Sequence, residues 1–467
     1  MKRILFLFIL TSIFSYGQNV VKGNIVNASS NEPIPFANIY IKNTSIGVVS
    51  NTEGLFEINI PQKYTKATLV FSFMGFETYK VNIAKLTTAG SQIIKLNPST
   101  INLNQVTINV KALSVNKIVK QAFANYYKNF PDKPFIEKGF LRYTEKTKTA
   151  YKWLVEAAIE VYDPGFNKPC KKIKLNIIEK RKSLDYRVLD TSMIYNFYLR
   201  EAKHLSFRNS RIKSANLSEI PKDDFRNAVS FIDNLKKNQA SIFTTDNNKI
   251  RYYNQKNAIF NKQLLKTHTF KLDTILYNSD IIYKIKIMPK NPPAKLNRKV
   301  GDYELPFGWI YIRKKDYAII KLDYVLLNSK KGELFSEIKG TRVASHFIIK
   351  FIEIAGKMYP KYLSYSKPVA INRVKTIFEK IKNGIEPNSE DFYYSKQEIL
   401  FTKIITDTVK INKLLNKPWN DNLFSPHPYH AAFWKNYNVL LESATEQKMR
   451  HDLEKKVGLK EQFKQHN

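Results

Sequence analysis

The chain has a single cysteine, Cys170, in 467 residues. That excludes an internal disulfide and any metal cage built from thiolates. Cys170 itself, beside Pro169 and two lysines, reads as a small buried hydrophobe or a reactive thiol. Glycine is scarce, at 15 residues. No Gly-rich phosphate loop occurs, and neither does a G-x-S-x-G nucleophile turn. Beyond the first apolar run no stretch approaches the ~18 apolar residues of a membrane-spanning helix. Acidic residues are also few: 40 Asp and Glu stand against 76 Lys and Arg, a net charge of +36. Such a surface attracts phosphates, anionic lipid head groups and acidic glycans. The basic residues are mostly lysines spread along the chain. Even the densest runs, Lys168 to Lys182 and Arg313-Lys314-Lys315, are interleaved or flanked by apolar residues, as solvated sheet and helix faces would be. With no Arg/aromatic recognition motif, no nucleic-acid partner is expected.

What is abundant is aromatic: 27 Tyr and 30 Phe. Together with few glycines they favour strands in well-packed sheets. The N-terminus has the layout of an export signal: Lys2 and Arg3, an apolar run from Ile4 to Phe14, then small residues at Ser15 and Gly17 before Gln18. The mature chain is expected to begin at Gln18 and to lie in the periplasm or at the outer membrane.

From residue 19 to 97 short alternating segments are separated by turn residues. Val20 to Val26, Ala37 to Ile41, Gly54 to Ile60, Thr68 to Phe73, Phe76 to Ile83 and Gln92 to Leu96 read as strands. Pro33, Pro35, Gly47, Gly54, Pro61 and Gly75 punctuate them. Gly54 after Asn51-Thr52-Glu53 suits a turn position with φ > 0. The order and spacing of Val21-Lys22-Gly23-Asn24-Ile25-Val26, Glu32-Pro33-Ile34-Pro35-Phe36-Ala37-Asn38-Ile39-Tyr40-Ile41, Asn51-Thr52-Glu53-Gly54-Leu55-Phe56 and Leu69 to Phe76 resemble the carboxypeptidase regulatory-like domain. That resemblance implies a transthyretin-like β-sandwich without catalytic residues. Such modules stand at the front of outer-membrane and surface proteins of Gram-negative bacteria, TonB-dependent transporters among them. The segment Leu103 to Ile108 looks like the one that follows the module in those transporters. The length remaining and the non-aromatic C-terminus speak against a transmembrane barrel here.

Beyond the module, Ser114 to Phe130 reads as an amphipathic helix. Val115, Ile118, Val119, Ala122, Phe123, Tyr126 and Phe130 form one stripe, Ser114 is a candidate N-cap, and Pro131 is the stop. Phe135 to Asp163 reads as two long strands around Thr147-Lys148-Thr149. Residues 170–250 are mixed, helical near Lys222 to Lys236 and loop-like over Asn238 to Lys249. From His268 a series of hairpins follows. Their turns fall at Tyr277-Asn278-Ser279-Asp280, Arg313-Lys314-Lys315-Asp316 and Ala355-Gly356-Lys357. The Gly308 to Ile312, Asp316 to Ile320 and Gly356 to Pro360 segments resemble the curved sheet of lipoprotein carriers, although a sheet with a filled core fits them as well. His430 to Phe463 is again helical, with one stripe through Phe433, Tyr437, Leu440, Leu441 and Ala444 and another from Met449 through Leu453 to Val457.

The expected architecture is therefore α+β and β-rich. A signal peptide (1–17) precedes a seven-strand-type β-sandwich (18–97) and a linker (98–112). A helix with a mixed α/β segment follows (113–250), then a curved antiparallel sheet region (251–415) and C-terminal helices packing on it (416–467). The sandwich is expected to fold alone as residues 18–100.

Chemistry is sparse. His451-Asp452-Leu453-Glu454 spells a two-ligand H-x-x-E pair, with His427, His430 and His466 in the same tail, but zinc needs three or four converging ligands. Glu156 and Glu160 share one face of a strand. That suits either acid/base work on a glycan or a salt-bridged sheet face. No catalytic, cofactor-binding or metal-binding residue is assigned, and no cofactor is expected. The sequence favours a non-enzymatic exported envelope protein, its sandwich docking to a partner and its sheet binding a ligand or scaffolding. An envelope protein or transporter component is the expected partner, with anionic lipid or glycan beside it. The rivals are an envelope hydrolase acting on glycan or peptide, and a lipid carrier or outer-membrane-associated barrel protein.

Overall fold

The computed structural model describes residues 19–86, 90–99, 114–168, 173–187, 268–290, 305–327, 343–370, 392–420 and 427–465. The signal segment, most of the linker, Cys170 and the 222–236 and 238–249 segments lie outside them. Strand far outweighs helix, and the strands form three sheets.

The first two sheets make the sandwich. β1 (Asn19–Asn27), β4 (Leu55–Ile60) and β7 (Ser91–Leu96) form one layer in the order β4-β1-β7. β2 (Asn38–Ile41), β3 (Gly47–Val49), β5 (Thr68–Ser72) and β6 (Tyr79–Asn82) form the other, in the order β3-β2-β5-β6. Alternation places Val21, Ile25, Ile39, Ile41, Phe56, Ile58, Leu69 and Phe71 between the layers, all buried. Gly54 does adopt φ +75, and a Cβ there would sit 2.4 Å from the Ile25 carbonyl oxygen. Only glycine satisfies both constraints.

The third sheet has ten strands, all antiparallel. They are β8 (Phe135–Lys146), β9 (Tyr151–Asp163), β10 (Lys174–Lys182), β11 (His268–Tyr277), β12 (Asp280–Pro289), β13 (Leu305–Arg313), β14 (Ile319–Leu327), β15 (Val343–Ile354), β16 (Lys357–Ala370) and β17 (Phe392–Ile405). Their order is β10-β9-β8-β17-β16-β15-β14-β13-β12-β11. The chain lays down β8 to β10 outward, crosses to the far edge at β11, and returns strand by strand until β17 pairs with β8. The sheet therefore does not begin at residue 251. β8 to β10 belong to it, and the expected mixed α/β segment is, where described, one helical turn region plus one wing of the same sheet. Local sequence hid this because the β8–β17 pairing is long-range. The hairpin turns fall where expected. Asn278 and Ser279 (φ 50 and 66), and Ala355 and Gly356 (φ 49 and 74), take the left-handed pairs that two-residue turns need.

Helices α1 (Val115–Ala124) and α2 (Tyr126–Asn129) replace the single expected helix. Ile118, Val119, Ala122 and Phe130 of the stripe are buried against one face of the large sheet. Its other face meets the sandwich. Phe140, Ala158, Tyr362 and Leu400 of the sheet join the same apolar cluster as the sandwich core. The Phe36 and Tyr362 rings lie 5.3 Å apart. Polar ties reinforce the contact: Lys350 Nζ donates to the Phe36 carbonyl (2.6 Å), and Ser45 and Ile404 exchange two bonds of 3.0 and 3.2 Å. The sandwich thus shares its core with the sheet rather than hanging from a linker.

The tail is broken into short helices: α3 (Thr408–Leu415), α4 (Ala431–Lys435), α5 (Ala444–Leu453) and α6 (Leu459–Lys464). Trp434 and Leu440 insert into the sandwich–sheet cluster. Met449, Leu453, Leu459 and Phe463 pack on Leu154 of β9.

Candidate functional site: a polar cleft where sandwich, sheet and tail meet

Strand register alone puts alternating charges side by side. Glu398 of β17 lies opposite Arg142 of β8, Arg142 opposite Glu156 of β9, and Glu156 opposite Arg181 of β10. This row crosses four strands on the face that meets the sandwich and tail. Directly opposed charges of opposite sign are the favourable cross-strand arrangement. Here Glu398, Arg142 and Glu156 are also buried, and Arg181 is half-buried. Arg142 Nε donates to Glu156 Oε1 at 2.8 Å and Arg181 Nε to Glu156 Oε2 at 2.6 Å.

The tail completes the row. Arg142 Nη1 donates to Glu446 Oε1 (3.0 Å) and Nη2 to the Leu440 carbonyl (2.9 Å). Glu446 is also the third residue of α5 in a capping box. Its Oε2 accepts from Ser443 N–H at 2.6 Å while Ser443 Oγ accepts from Glu446 N–H. One carboxylate thus caps a helix and anchors it to the sheet. Arg181 spreads over the Trp434 ring, 4.3 Å from its centroid.

Beside this row opens a cleft of about 130 Å³. The sandwich contributes Phe36, Asn51 and Thr52; the sheet contributes Thr144, Tyr151, Lys396 and Glu398; the tail contributes Leu440, Ser443 and Glu446. Asn51 Nδ2 donates to the Glu442 carbonyl at 3.0 Å, and Glu53 Oε1 accepts from Ala444 N–H at 2.5 Å. All three parts are therefore hydrogen-bonded at the rim.

The ionisation states follow from these contacts. Burial pushes the Glu156 carboxyl up, but Arg181 and Arg142 outweigh it and hold it down at about 2. Burial likewise raises Glu398, and Lys396 and the Tyr362 hydroxyl, which donates at 2.6 Å, hold it low. Tyr362 is pushed well up by burial and by Glu398. Tyr151 rises to about 12 through burial and then Glu446 and Glu398. Burial lowers Lys361 to about 7, and its Nζ donates to the Gly47 and Phe401 carbonyls at 2.8 and 2.7 Å. Lys361 sits at a bulge, since Lys350 pairs with Tyr362 and Phe351 with Pro360. The extra residue turns its ammonium into the sandwich contact.

Glu156 and Glu160 do share a face, and both serve ion pairs. Glu160 takes Lys138 at 2.6 Å and Asn176 Nδ2 at 3.0 Å. His451 and Glu454 do not converge with other ligands among the described residues. Glu454 instead accepts from Leu459 N–H at 3.1 Å, capping the last helix. His427 and His430 converge on Glu179 of β10, at 3.2 and 2.8 Å. Neither Glu179 nor Arg142 stands out in the sequence. Their partners lie up to 304 residues away, and no local pattern encodes such pairings. Alternation does show that Arg142 and Glu156 fall on the face opposite the apolar one, but a solvated face would show the same pattern.

No curated protein sequence matches the chain. Among solved structures it is similar to an outer membrane lipoprotein-sorting protein domain from Vibrio parahaemolyticus. The identity is 8%, covering 64% of this chain and 97% of that one, with a TM-score of 0.22. It is also similar to a LolA superfamily protein from Nitrosomonas europaea, at 10% identity over 62% of this chain and 93% of that one, with the same TM-score of 0.22. At that score neither likeness bears on fold or function. The family comparison is specific, and it covers the region whose strands, turns and core were described first. Residues 21–108 match the CarboxypepD_reg-like domain family, and the N-terminal sandwich is a domain of that family.

Proposed function

We propose that this is a non-enzymatic, exported protein of the cell envelope, in which sandwich, sheet and tail form one rigid binding platform. The observation that carries the reading is the state of the buried charges at the cleft. Glu156 and Glu398 are held ionised by cationic and hydroxyl partners, and both oxygens of Glu446 are engaged. A glycosidase needs one carboxyl kept protonated and poised near the working pH. The row does the opposite. The cleft's volume of about 130 Å³ is also below the ~300 Å³ at which small-molecule sites begin. It suits an inserted side chain better than a sugar chain or an acyl chain. The CarboxypepD_reg-like domain supports an envelope location. No helix among the described residues is long and apolar enough to cross a membrane. A partner protein of the envelope is the proposed ligand, with the basic surface favouring anionic lipid or glycan alongside it.

A photo-crosslinker placed at Thr52 on the cleft rim, in the full chain expressed in its own envelope, tests this. A discrete crosslinked partner that is absent when the crosslinker sits at exposed Val409 is the expected result. Equal labelling at both positions would remove the binding-platform reading. Turnover of envelope glycan or peptide that Glu398→Gln abolishes would replace it with the hydrolase reading.

A further inference from the structure

The edge strand β10 carries a bulge between Ile177 and Glu179, where the register with β9 slips by one residue. Bulges re-aim side chains and cluster near functional sites. Here the slip accompanies a Glu179 that is buried, its side chain only 6% exposed. The tail lies over this edge. Ile177 N–H donates to the Asn420 carbonyl at 2.8 Å, and Asn420 N–H donates to Asn176 Oδ1 at 3.1 Å. Beyond that tie, His427-Pro428-Tyr429-His430 brings two imidazoles onto the Glu179 carboxylate.

One nitrogen from each imidazole and one oxygen from the carboxylate all lie within 4.8 Å of one another. His430 Nδ1 is 2.8 Å from Glu179 Oε2. His427 Nε2 faces Glu179 Oε1 at 3.2 Å. That second approach lacks hydrogen-bond geometry. Both atoms are fully shielded from solvent and neither has another hydrogen-bond partner. A buried carboxylate oxygen and an imidazole nitrogen left facing each other forfeit a hydrogen bond each, which is costly. A cation between them removes that cost. Ligand bonds of ~2.0–2.2 Å in a tetrahedral arrangement put neighbouring donors roughly 3.3 Å apart, close to what Glu179 and His427 show. The two rings are nearly perpendicular, at 83° with centroids 6.0 Å apart, so they do not stack on one another.

We infer that Glu179, His427 and His430 form a binding site for a divalent transition-metal ion of the zinc type, which clips the C-terminal tail to the edge of the ten-stranded sheet. Two imidazoles and one carboxylate select zinc, cobalt or nickel over calcium or magnesium, which demand oxygen ligands. Three protein ligands leave a fourth position for water. The clip covers part of an edge strand that would otherwise present unpaired backbone groups. It also holds the stretch that leads into Trp434, on which Arg181 of the charged row rests. The site is independent of the cleft reading, since none of its three ligands lines the cleft.

The test uses the untagged mature full-length chain, stripped with a chelator and titrated with zinc chloride by calorimetry and with cobalt chloride by visible spectroscopy. One equivalent of each should bind. Cobalt should develop the d–d bands of a four-coordinate site, and zinc should raise the melting temperature. His427→Ala and Glu179→Gln, each checked for native circular dichroism, should each weaken binding at least ~10-fold and abolish the thermal shift. His451→Ala, in the H-x-x-E pair that gathers no third ligand among the described residues, should leave both unchanged. Failure of the wild-type chain to bind either metal would overturn the proposal. So would binding that survives in both site variants. Should Glu179→Gln not fold, His427→Ala alone decides, because His427 lies in the tail outside the sheet's pairing.

Discussion

Two cross-strand ion pairs in this molecule have nearly the same geometry and opposite standing. In the sandwich, Lys22 of β1 lies directly opposite Glu57 of β4 with 2.9 Å between charged atoms. In the large sheet, Arg142 of β8 lies directly opposite Glu156 of β9 at 2.8 Å. The first lysine is 57% exposed; both members of the second pair are 2% exposed. The first pair sits in water, which already solvates both charges. The second sits between the sheet, the sandwich and the tail, where each charge depends on its partners. Distance alone says nothing about the strength of such a contact. Environment decides, and the large sheet uses buried charge where the sandwich uses Val, Ile and Phe.

The largest effect should come from removing the centre of the row. Arg142→Met takes the guanidinium away from buried Glu156 and Glu398 and from Glu446, leaving Arg181 on Glu156 and Lys396 on Glu398. Breaking a buried pair from one side costs about 3–5 kcal/mol. Urea unfolding should show a drop of that size. The double variant Arg142→Met with Glu156→Gln should recover part of it, because the stranded charge is gone. If the double variant is as unstable as the sum of its parts, the row is not coupled.

Next in size is the acid limb. Glu156 titrates at about 2 in the folded protein against 4.5 for the free group. A depressed carboxyl contributes stability that is present above its unfolded value and is lost as pH falls through its folded one. The unfolded chain binds the extra proton in that window, so stability should fall between roughly pH 4.5 and 2. Glu156→Gln should flatten that limb in denaturation curves taken at stepped pH. An unchanged limb would mean that other carboxylates carry it.

The buried lysine under the sandwich gives a slope of the same sign in a higher pH window. Lys361 falls from 10.5 to about 7 on folding, chiefly through burial. Between those values the unfolded chain holds a proton that the folded chain has shed, so stability should rise as pH climbs from about 7 to 10.5. Lys361→Met should reduce that rise. The variant bears on the sandwich as well, because Lys361 holds the Gly47 carbonyl. The shared core predicts one unfolding transition for sandwich and sheet together, and a lower melting temperature for an isolated 18–100 fragment than for the whole chain. Two separated transitions in the full chain would restore the independent module that sequence alone suggests.

The legibility of the molecule divides along the same line as the two ion pairs. The sandwich could be read residue by residue. Its strands alternate, its turns need Gly54 and Gly75 in left-handed conformations, and among the described residues its core holds no buried charge. The hairpins from β11 to β16 were legible for the same reason, since each is closed by its own turn. What could not be read was whatever joins distant segments: β17 against β8, the tail carboxylate Glu446 on Arg142, His430 on Glu179 across 251 residues. Single charged residues carry no mark of their partner. The alternation of Arg142 and Glu156 with Leu141, Tyr143, Val155 and Ala157 shows that one face is apolar and the other is not. It does not show that a second domain covers the charged face. The sandwich also looked detachable because its strands close before Pro98, and nothing in its sequence reveals that Phe36 turns outward onto Tyr362.

The smallest effect is the one that sharpens the opening contrast. Lys22→Met removes a cation from the same kind of cross-strand pair that Arg142 occupies, at an almost identical distance. Glu57 keeps its hydration when its partner is gone, so no charge is stranded. Exposed pairs are worth about 0.2–1 kcal/mol by double-mutant cycles. Unfolding free energy should therefore move by no more than that, several times less than for Arg142→Met. Salt separates the two further. At 1 M the screening length is roughly 3 Å, enough to erase the Lys22–Glu57 attraction but without access to charges shielded by sandwich and tail. The difference between wild type and Lys22→Met should vanish in 1 M sodium chloride, while the difference between wild type and Arg142→Met should persist. If salt also erases the Arg142 effect, water reaches the row, and the sandwich does not seal it.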